Sequence, residues 1–397
     1  MTKINIEREE FIRVGTTLYK LVNQPRLNGG YVRKRIPWNA ETLRQDYGKG
    51  FMASVPKYDG FCTVPDHVGY KPVVNLYEPI GHQPVQGNFL HIRSLVRHIF
   101  GEQYELGMDY LQLLYLQPVQ KLPILLLVSE ERNTGKSTFL NFLKAVFQNN
   151  VTFNTNEDFR SQFNSDWAGK LLIVVDEVLL SRREDSERLK NLSTTLSYKV
   201  EAKGKDRDEI AFFAKFVLCS NNEYLPVIID AGETRYWVRK INRLENDDTG
   251  FLQKLKDEIP AFLHFLTQRK LSTEKESRMW FNPVLLHTAA LQRIIRSNRN
   301  RLEIEMSELI LDIMESVGIE SLSFCLNDML PLLINTQVKV EKHQVRKVVQ
   351  DCWKLTPAHN TLTYTTYQVD YTRDCHYSPI RRTGRFYTVT KEQLEIP

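Results

Sequence analysis

The chain has 397 residues, of which 42% are apolar and 11% aromatic, enough to bury a large core and to form more than one domain. No apolar run reaches the roughly eighteen residues of a membrane span, and residues 1–10 alternate charge and polarity, so we expect a cytoplasmic protein without a membrane partner. The net charge of +5 is mild, and the five cysteines are scattered without a CxxC pair, so we expect reduced thiols and no zinc site.

The first two regions of the chain precede the most informative motif. Residues 1–85 contain short apolar stretches separated by Gly29-Gly30 and several prolines, and they predict a small N-terminal α+β region of unknown role. Residues 86–120 predict two amphipathic helices, the first closed by Gly101 and the second stopped by Pro118. Their apolar faces are marked by Ile92, Leu95, Val96 and Ile99 and by Met108, Leu111, Leu114 and Tyr115.

Residues 121–243 open with the strand, loop and helix order of a phosphate-binding loop. The apolar run from Leu122 to Val128 has the length of a buried parallel strand, and residues 139–147 after the loop follow helical spacing. In the loop "SEERNTGKST", Gly135 lets the backbone approach phosphates, Lys136 would reach the β- and γ-phosphates of ATP, and the Ser137 hydroxyl would hold Mg²⁺. The rest of the expected nucleotide-binding set is Asn133, Thr134 and Thr138. The alternative is an ordinary lysine at a helix start.

Two acidic residues distinguish this loop from the usual motif. Glu130 takes the place of the first glycine, and Glu131 replaces another small residue. Their charges would weaken ATP affinity by repulsion from phosphate unless Arg132 or Mg²⁺ offsets them.

Two further strands end in polar residues. The run from Leu171 to Val175 predicts a strand ending in Asp176, which would position Mg²⁺, and Glu177, which would orient and deprotonate the attacking water. A third strand, Phe212 to Cys219, leads to Asn221, whose amide would hold the same water or contact the γ-phosphate. Taken singly, the acid pair and the asparagine are also compatible with solvated turns.

Basic residues between and after these strands suggest contacts with other chains. The pattern from Tyr198 to Ile210 predicts a β-hairpin whose tip carries Lys203 and Lys205. This tip is either a solvated turn or a contact with the backbone of a nucleic acid. Arg235 and Arg239 lie by a short apolar strand, and either would be the arginine that a neighbouring subunit inserts to stabilise charge on the transferring phosphate, with Arg235 favoured.

The remaining chain predicts a helical lid at residues 244–300 and a winged-helix-like domain at residues 301–397. In the latter, helices at residues 302–317, 327–333 and 340–353 precede a hairpin of two strands at residues 361–371 and 384–390. Residues 339–385 contain nine Lys and Arg against four acids, which suggests a polyanion partner. The candidate DNA contacts are Lys342, Arg346 and Lys347 on the third helix and Arg382 by the wing. A helical domain that only braces an assembly is the alternative.

The motifs "SEERNTGKST", "LLIVVDE", "KGKD", "FVLCSNN" and "ETRYW" occur in the order found in superfamily 3 helicases. Over Asn75 to Phe281 the chain resembles the primase-helicases of phages, plasmids and other mobile elements, including the poxvirus type. The resemblance implies an α/β fold with an AAA+ type ATPase core around a central parallel sheet. It also implies a homohexameric ring that binds ATP and Mg²⁺ between subunits and moves along a single DNA strand in a central channel. On this basis Lys136, Ser137, Asp176, Glu177 and Asn221 take the nucleotide roles, Arg235 matches the arginine finger, and Lys203 and Lys205 match the DNA-gripping hairpin.

The sequence therefore predicts an ATP-dependent DNA helicase acting in replication of a mobile element. It contains no pattern assignable to primer synthesis, so any priming would come from a separate primase. A non-translocating, ATP-dependent DNA-binding initiator and a small-molecule phosphotransferase are the alternatives.

Overall fold

The structure, a computed structural model, describes residues 10–25, 31–65, 72–161, 167–180, 182–200, 208–230, 232–244, 248–298, 301–333, 340–369 and 377–394. The chain divides into two compact units, Met1–Ile294 and Ile295–Pro397. None of the helices in these ranges is both long and apolar enough to cross a membrane.

The N-terminal unit begins with a small sheet and two short helices. These elements are β1 (Phe11–Val14), β2 (Thr17–Pro25), β3 (Tyr31–Trp38), α1 (Ala40–Tyr47), α2 (Phe51–Ser54), β4 (Lys57–Tyr58), β5 (Gly60–Cys62) and β6 (Val73–Asn75). The sheet has the order β3-β2-β1-β4, so β3 forms one of its edges, and β5 pairs with β6 separately. The buried Phe11 ring lies within 6.4 Å of the rings of Trp38, Tyr47 and Phe51, and these contacts fix the helices on the sheet.

Two helices follow, α3 (Leu90–Phe100) and α4 (Tyr104–Leu116), joined by a 3₁₀ turn at Gly101–Gln103. Helix α3 buries the apolar face that the sequence predicts. It ends at Gly101, whose φ of +50° is a left-handed conformation that favours glycine.

A five-stranded parallel sheet forms the centre of the N-terminal unit. Its strands and the intervening elements are β7 (Ile124–Val128), α5 (Lys136–Phe147), β8 (Val151–Phe153), β9 (Leu172–Val175), α6 (Arg183–Thr194), β10 (Ser197–Val200), β11 (Asp208–Ala211), β12 (Lys215–Ser220) and β13 (Tyr236–Lys240). The strand order is β13-β7-β12-β9-β8, and every neighbouring pair is parallel. The continuous apolar runs are explained by burial of the central strands on both faces. All carboxyl ends meet at one edge, here called the carboxyl edge.

Two strand boundaries differ from the sequence prediction. β7 begins at Ile124 rather than Leu122, because Pro123 has no N–H to donate to a neighbouring strand. β12 begins at Lys215 rather than Phe212, because the Phe212 amide donates to the Leu196 carbonyl beside the predicted hairpin, which β10 and β11 form.

After β13 the N-terminal unit continues with helical segments. They are α7 (Phe251–Gln268), a 3₁₀ turn at Pro283–Leu286 and α8 (Ala289–Ser297), whose last residues pass the unit boundary. The Phe262 ring of α7 lies 5.7 Å from that of Phe89 and 5.8 Å from that of Phe142. Helix α7 therefore packs on α5, the helix that begins at the predicted phosphate loop.

The C-terminal unit combines helices with two pairs of strands. Its elements are α9 (Arg301–Val317), β14 (Ser321–Phe324), α10 (Leu326–Leu333), α11 (Lys342–Lys347), a π-helical turn at Val348–Cys352, β15 (Leu362–Val369), β16 (Tyr377–Gly384), β17 (Tyr387–Thr390) and α12 (Lys391–Leu394). β15 pairs with β16 and not with the strand predicted at residues 384–390, because that segment contains β17, which pairs with β14; the sequence pattern predicted neither β14 nor β16. The helix predicted at residues 340–353 is α-helical only in its first part, because the Trp353 amide donates to the Val348 carbonyl five residues back. The winged-helix assignment stays a prediction.

Candidate nucleotide site

The loop between β7 and α5 has a backbone that depends on glycine. Gly135 has φ +79°, and a Cβ there would lie 3.3 Å from Leu244 Cδ1. Asn133 is also left-handed, with φ +54°. Asparagine tolerates this conformation better than most residues, so the "NTG" sequence matches the backbone it forms.

Contacts from outside the loop hold it in place. The Asn133 carbonyl accepts from the Leu244 amide at 2.9 Å, and the Thr134 carbonyl lies 3.0 Å from His98 Nε2 on α3. The Glu130 amide donates to Glu223 Oε1 at 3.2 Å. The loop is thus held from three sides, which preorganises it for a ligand.

The start of α5 carries unused hydrogen-bond donors. No side chain caps this helix N-terminus, so its first amides are available to an anion. Lys136 is buried, and its Nζ donates to Thr134 Oγ1 at 3.1 Å. Burial lowers the pKa of Lys136, while nearby negative groups, Asp176 and Glu223 among them, oppose that shift. A buried ammonium beside free amides suits a phosphate.

The two predicted acids follow β9 at the carboxyl edge. Asp176 and Glu177 are exposed, and Glu177 has φ +76°, an uncommon conformation for this residue type. Asn156 holds the turn, because its Nδ2 donates to the Glu177 carbonyl at 3.2 Å and its Oδ1 accepts from the Leu179 amide at 3.0 Å. No local pattern indicates this role of Asn156, because it depends on a contact across 21 positions.

One cavity of about 550 Å³ brings the predicted nucleotide residues together. Its walls come from the loop, from the residues after β9 and from the residue after β12, at the carboxyl edge. The lining residues are Glu131, Arg132, Asn133, Thr134, Gly135, Lys136, Ser137, Thr138, Asp176, Glu177 and Asn221. Parallel strands explain this grouping, because their carboxyl ends share one edge.

Sequence reasoning missed Glu223, which lies behind the loop. Its buried carboxylate accepts from Lys240 Nζ at 2.9 Å, from Arg293 Nη1 at 2.6 Å and from the Glu130 amide. Burial alone would raise the pKa of Glu223, but the bonds from Lys240 and the Glu130 amide and the charges of Lys240 and Arg293 hold it below its ordinary value. Glu223 therefore connects the loop to the end of β13 and to α8.

Arg235 and Arg239 lie in different surroundings. Arg235 immediately precedes β13, at the amino edge of the sheet, and its Nε donates to Glu233 Oε1 at 2.9 Å. Arg239 is buried and contacts Glu102 at 2.6 Å and Gln103 at 2.8 Å through Nη1. Neither lines the cavity of its own chain. Both guanidinium groups thus have a carboxylate partner within their own chain, and the Arg235 side chain is the more exposed of the two.

The predicted DNA contacts are also distributed unevenly. Lys203 and Lys205 lie outside the described residues, although the strands that flank them pair as expected. Lys342, Arg346 and Lys347 are exposed on α11. Arg382 instead donates to the buried Asp328 at 2.6 Å, which also accepts from the Tyr364 hydroxyl at 2.6 Å. Arg382 thus has a structural partner that the sequence did not reveal.

These features define an α/β protein with a strand-loop-helix site at the carboxyl edge of a parallel sheet. Residues 127–239 match a family of unknown function, DUF5906. A search of curated proteins finds no match.

Among solved structures, the chain is similar to the C-terminal region (305–718) of NrS-1. One apo structure of that region has 17% identity and a TM-score of 0.60, covering 87% of this chain and 84% of that chain. Another has 18% identity and a TM-score of 0.56, covering 86% of this chain and 82% of that chain. The JCV helicase structure has 16% identity and a TM-score of 0.28, covering 58% of this chain and 65% of that chain. This TM-score is too low for a comparison of folds. The likeness to NrS-1 shows a shared fold.

Proposed function

We propose that this chain is an ATP-dependent DNA helicase of the superfamily 3 type that acts in the replication of a phage, plasmid or other mobile element. The observation that carries the proposal is the cavity at the carboxyl edge. There a glycine-dependent loop, a buried lysine and uncapped helix amides face two carboxylates and an asparagine. This combination of groups suits a nucleoside triphosphate better than any other ligand class.

The roles follow from chemistry. Lys136 and the first amides of α5 would bind the β- and γ-phosphates, with Asn133, Thr134 and Thr138 shaping the loop around them. Ser137 and Asp176 would hold Mg²⁺. This cation takes few protein ligands and completes its coordination with phosphate and water. When bound, it would neutralise negative charge on the phosphate group that is transferred. Glu177 would accept the proton of the attacking water, and Asn221 would orient that water by hydrogen bonding.

The assembly part of the proposal concerns neighbouring chains. Since Arg235 lies at the opposite edge from its own cavity, it would serve the site of an adjacent subunit in a homohexameric ring. Lys203 and Lys205 would contact a single strand in the central channel, and a separate primase would supply primers. The exposed cations of α11 would add DNA contacts from the C-terminal unit.

Those α11 cations also support a second candidate, an initiator that binds DNA and uses ATP only for assembly. Unwinding of forked DNA, measured beside ATP hydrolysis with and without single-stranded DNA, separates the two. We expect stimulated hydrolysis and strand separation. Stimulated hydrolysis without strand separation would favour the initiator, and indifference to DNA would favour a small-molecule phosphotransferase.

The hairpin tip gives a more selective test. We expect Lys205→Ala to keep hydrolysis without DNA but to reduce unwinding at least tenfold, because the tip would lose a phosphate contact in the channel. Lys199→Ala, on the flanking strand β10, is the matched control. Equal unwinding by the two variants would remove Lys205 from the mechanism.

A further inference from the structure

A second cavity, of about 520 Å³, opens between the N-terminal sheet and the amino edge of the parallel sheet. Edge strand β3 forms one wall, while the last turn of α5 and the segment before β9 form the other. Five cations line it, and we call it the basic groove (Arg33, Lys34, Arg35, Lys144 and Lys170).

The positive charge of the basic groove has little opposition. Glu78 is the one carboxylate among the lining residues. Within the described part of the chain, none of Arg33, Lys34 and Arg35 has an acidic group at ion-pair distance. Burial lowers the pKa of Arg35, and the Arg33 charge adds to this while Glu78 opposes it. Lys144 Nζ and Lys170 Nζ donate to the carbonyls of Val151 and Asn149. Among the described lining residues the five cations outnumber the single carboxylate, and such an excess of positive charge attracts an anion.

The basic groove is separate from the nucleotide cavity. The two share no lining residue. Helix α5 connects them, since Lys136 at its start lines one and Lys144 in its last turn lines the other, about 12 Å apart at 1.5 Å per residue. ATP bound at the carboxyl edge would therefore leave the groove accessible.

We propose that the basic groove binds the phosphate backbone of a single nucleic-acid strand. None of the described residues that line it is aromatic, so bases would have no ring to stack on there, and binding would follow the backbone and would not depend on sequence. Asn149 Nδ2 already donates to the Glu78 carboxylate and Thr152 Oγ1 to Asn154 Oδ1, so the cations carry the proposed binding. This inference rests on the proposed function, because a DNA motor exposes single strands, but it concerns a surface that no motif indicated.

The test is the affinity for a labelled oligothymidylate without ATP, measured over a range of salt concentrations. The Arg33→Gln/Arg35→Gln double variant should bind about tenfold more weakly, and its salt slope should fall by about 1.4, the value for two lost phosphate contacts on a single strand. Arg44→Gln/Lys49→Gln is the control, since it removes the same charge from exposed positions outside the groove. Glu78→Gln should bind more tightly than wild type.

Several outcomes would overturn the proposal. Affinity and salt slope equal to those of the control would do so. Charges on an edge strand also prevent strand pairing between molecules. Arg33→Gln/Arg35→Gln protein that aggregates but binds the oligothymidylate as tightly as wild type would therefore assign these arginines to that structural role and overturn the proposal. Displacement by polyglutamate as effective as by unlabelled oligonucleotide would assign a general polyanion surface instead. Lys136→Ala should leave this binding unchanged, so a failure of the groove and a failure of the ATP site are distinguishable.

Discussion

The two acidic residues of the phosphate loop lie in different positions relative to the nucleotide cavity. The Glu130 amide is bound by Glu223, and the Glu130 side chain is exposed and does not line the nucleotide cavity. Glu131 does line it. The expected repulsion of phosphate therefore comes from Glu131. Glu130 takes the place of the motif's first glycine, but its side chain lies outside the nucleotide cavity.

We expect Glu131→Gln to tighten ATP binding about two- to fivefold, because it removes one partly screened negative charge near the phosphates. Glu130→Gln is the matched control and should leave the affinity unchanged. Titration with a fluorescent ATP analogue measures both. A larger gain for Glu130→Gln than for Glu131→Gln would contradict this reading of the loop.

Two buried lysines lie where the segment before β7 meets the start of β12. Lys121 Nζ donates to the Phe212 carbonyl at 2.7 Å, and Lys215 Nζ donates to the Pro118 carbonyl. Burial lowers the pKa of Lys121 to about 8 and that of Lys215 well below its ordinary value, with the Lys121 charge adding to the effect on Lys215. The charged forms of Lys121, just before β7, and of Lys215, at the start of β12, therefore destabilise the folded state.

The buried lysines should make the free energy of unfolding increase with pH. Above pH 8 the folded protein releases the Lys121 proton while the unfolded chain keeps its own, so the free energy of unfolding should rise between about pH 8 and pH 10, by up to about 3 kcal/mol. Urea unfolding at successive pH values measures this. Lys121→Met should reduce the slope, whereas an identical slope in the variant would exclude Lys121 as a source.

The elements show what the sequence could and could not predict. Continuous apolar runs predict β7, β9 and β12, and parallel pairing then places Asp176, Glu177 and Asn221 at one edge. Strand β14 was missed because "SLSF" is too short to show a period. The hydrogen bond from the Glu130 amide to Glu223 joins residues 93 positions apart, and no local sequence pattern predicts such a contact.

We propose that Arg235 of one copy of the chain completes the ATP site of a neighbouring copy. Lys136→Ala and Arg235→Ala should each hydrolyse ATP at least a hundredfold more slowly than wild type. Mixing them should restore part of the activity, because some interfaces would combine an intact Lys136 with an intact Arg235. Mixtures no more active than either variant would contradict a shared site.

We propose above all that the cavity at the carboxyl edge hydrolyses ATP. The decisive measurement is steady-state hydrolysis by wild type and by Lys136→Ala, each with single-stranded DNA and Mg²⁺, after thermal unfolding has shown that both proteins are folded. We predict DNA-stimulated turnover in the wild type and at least a hundredfold loss in the variant. Equal turnover in the two proteins would contradict the account.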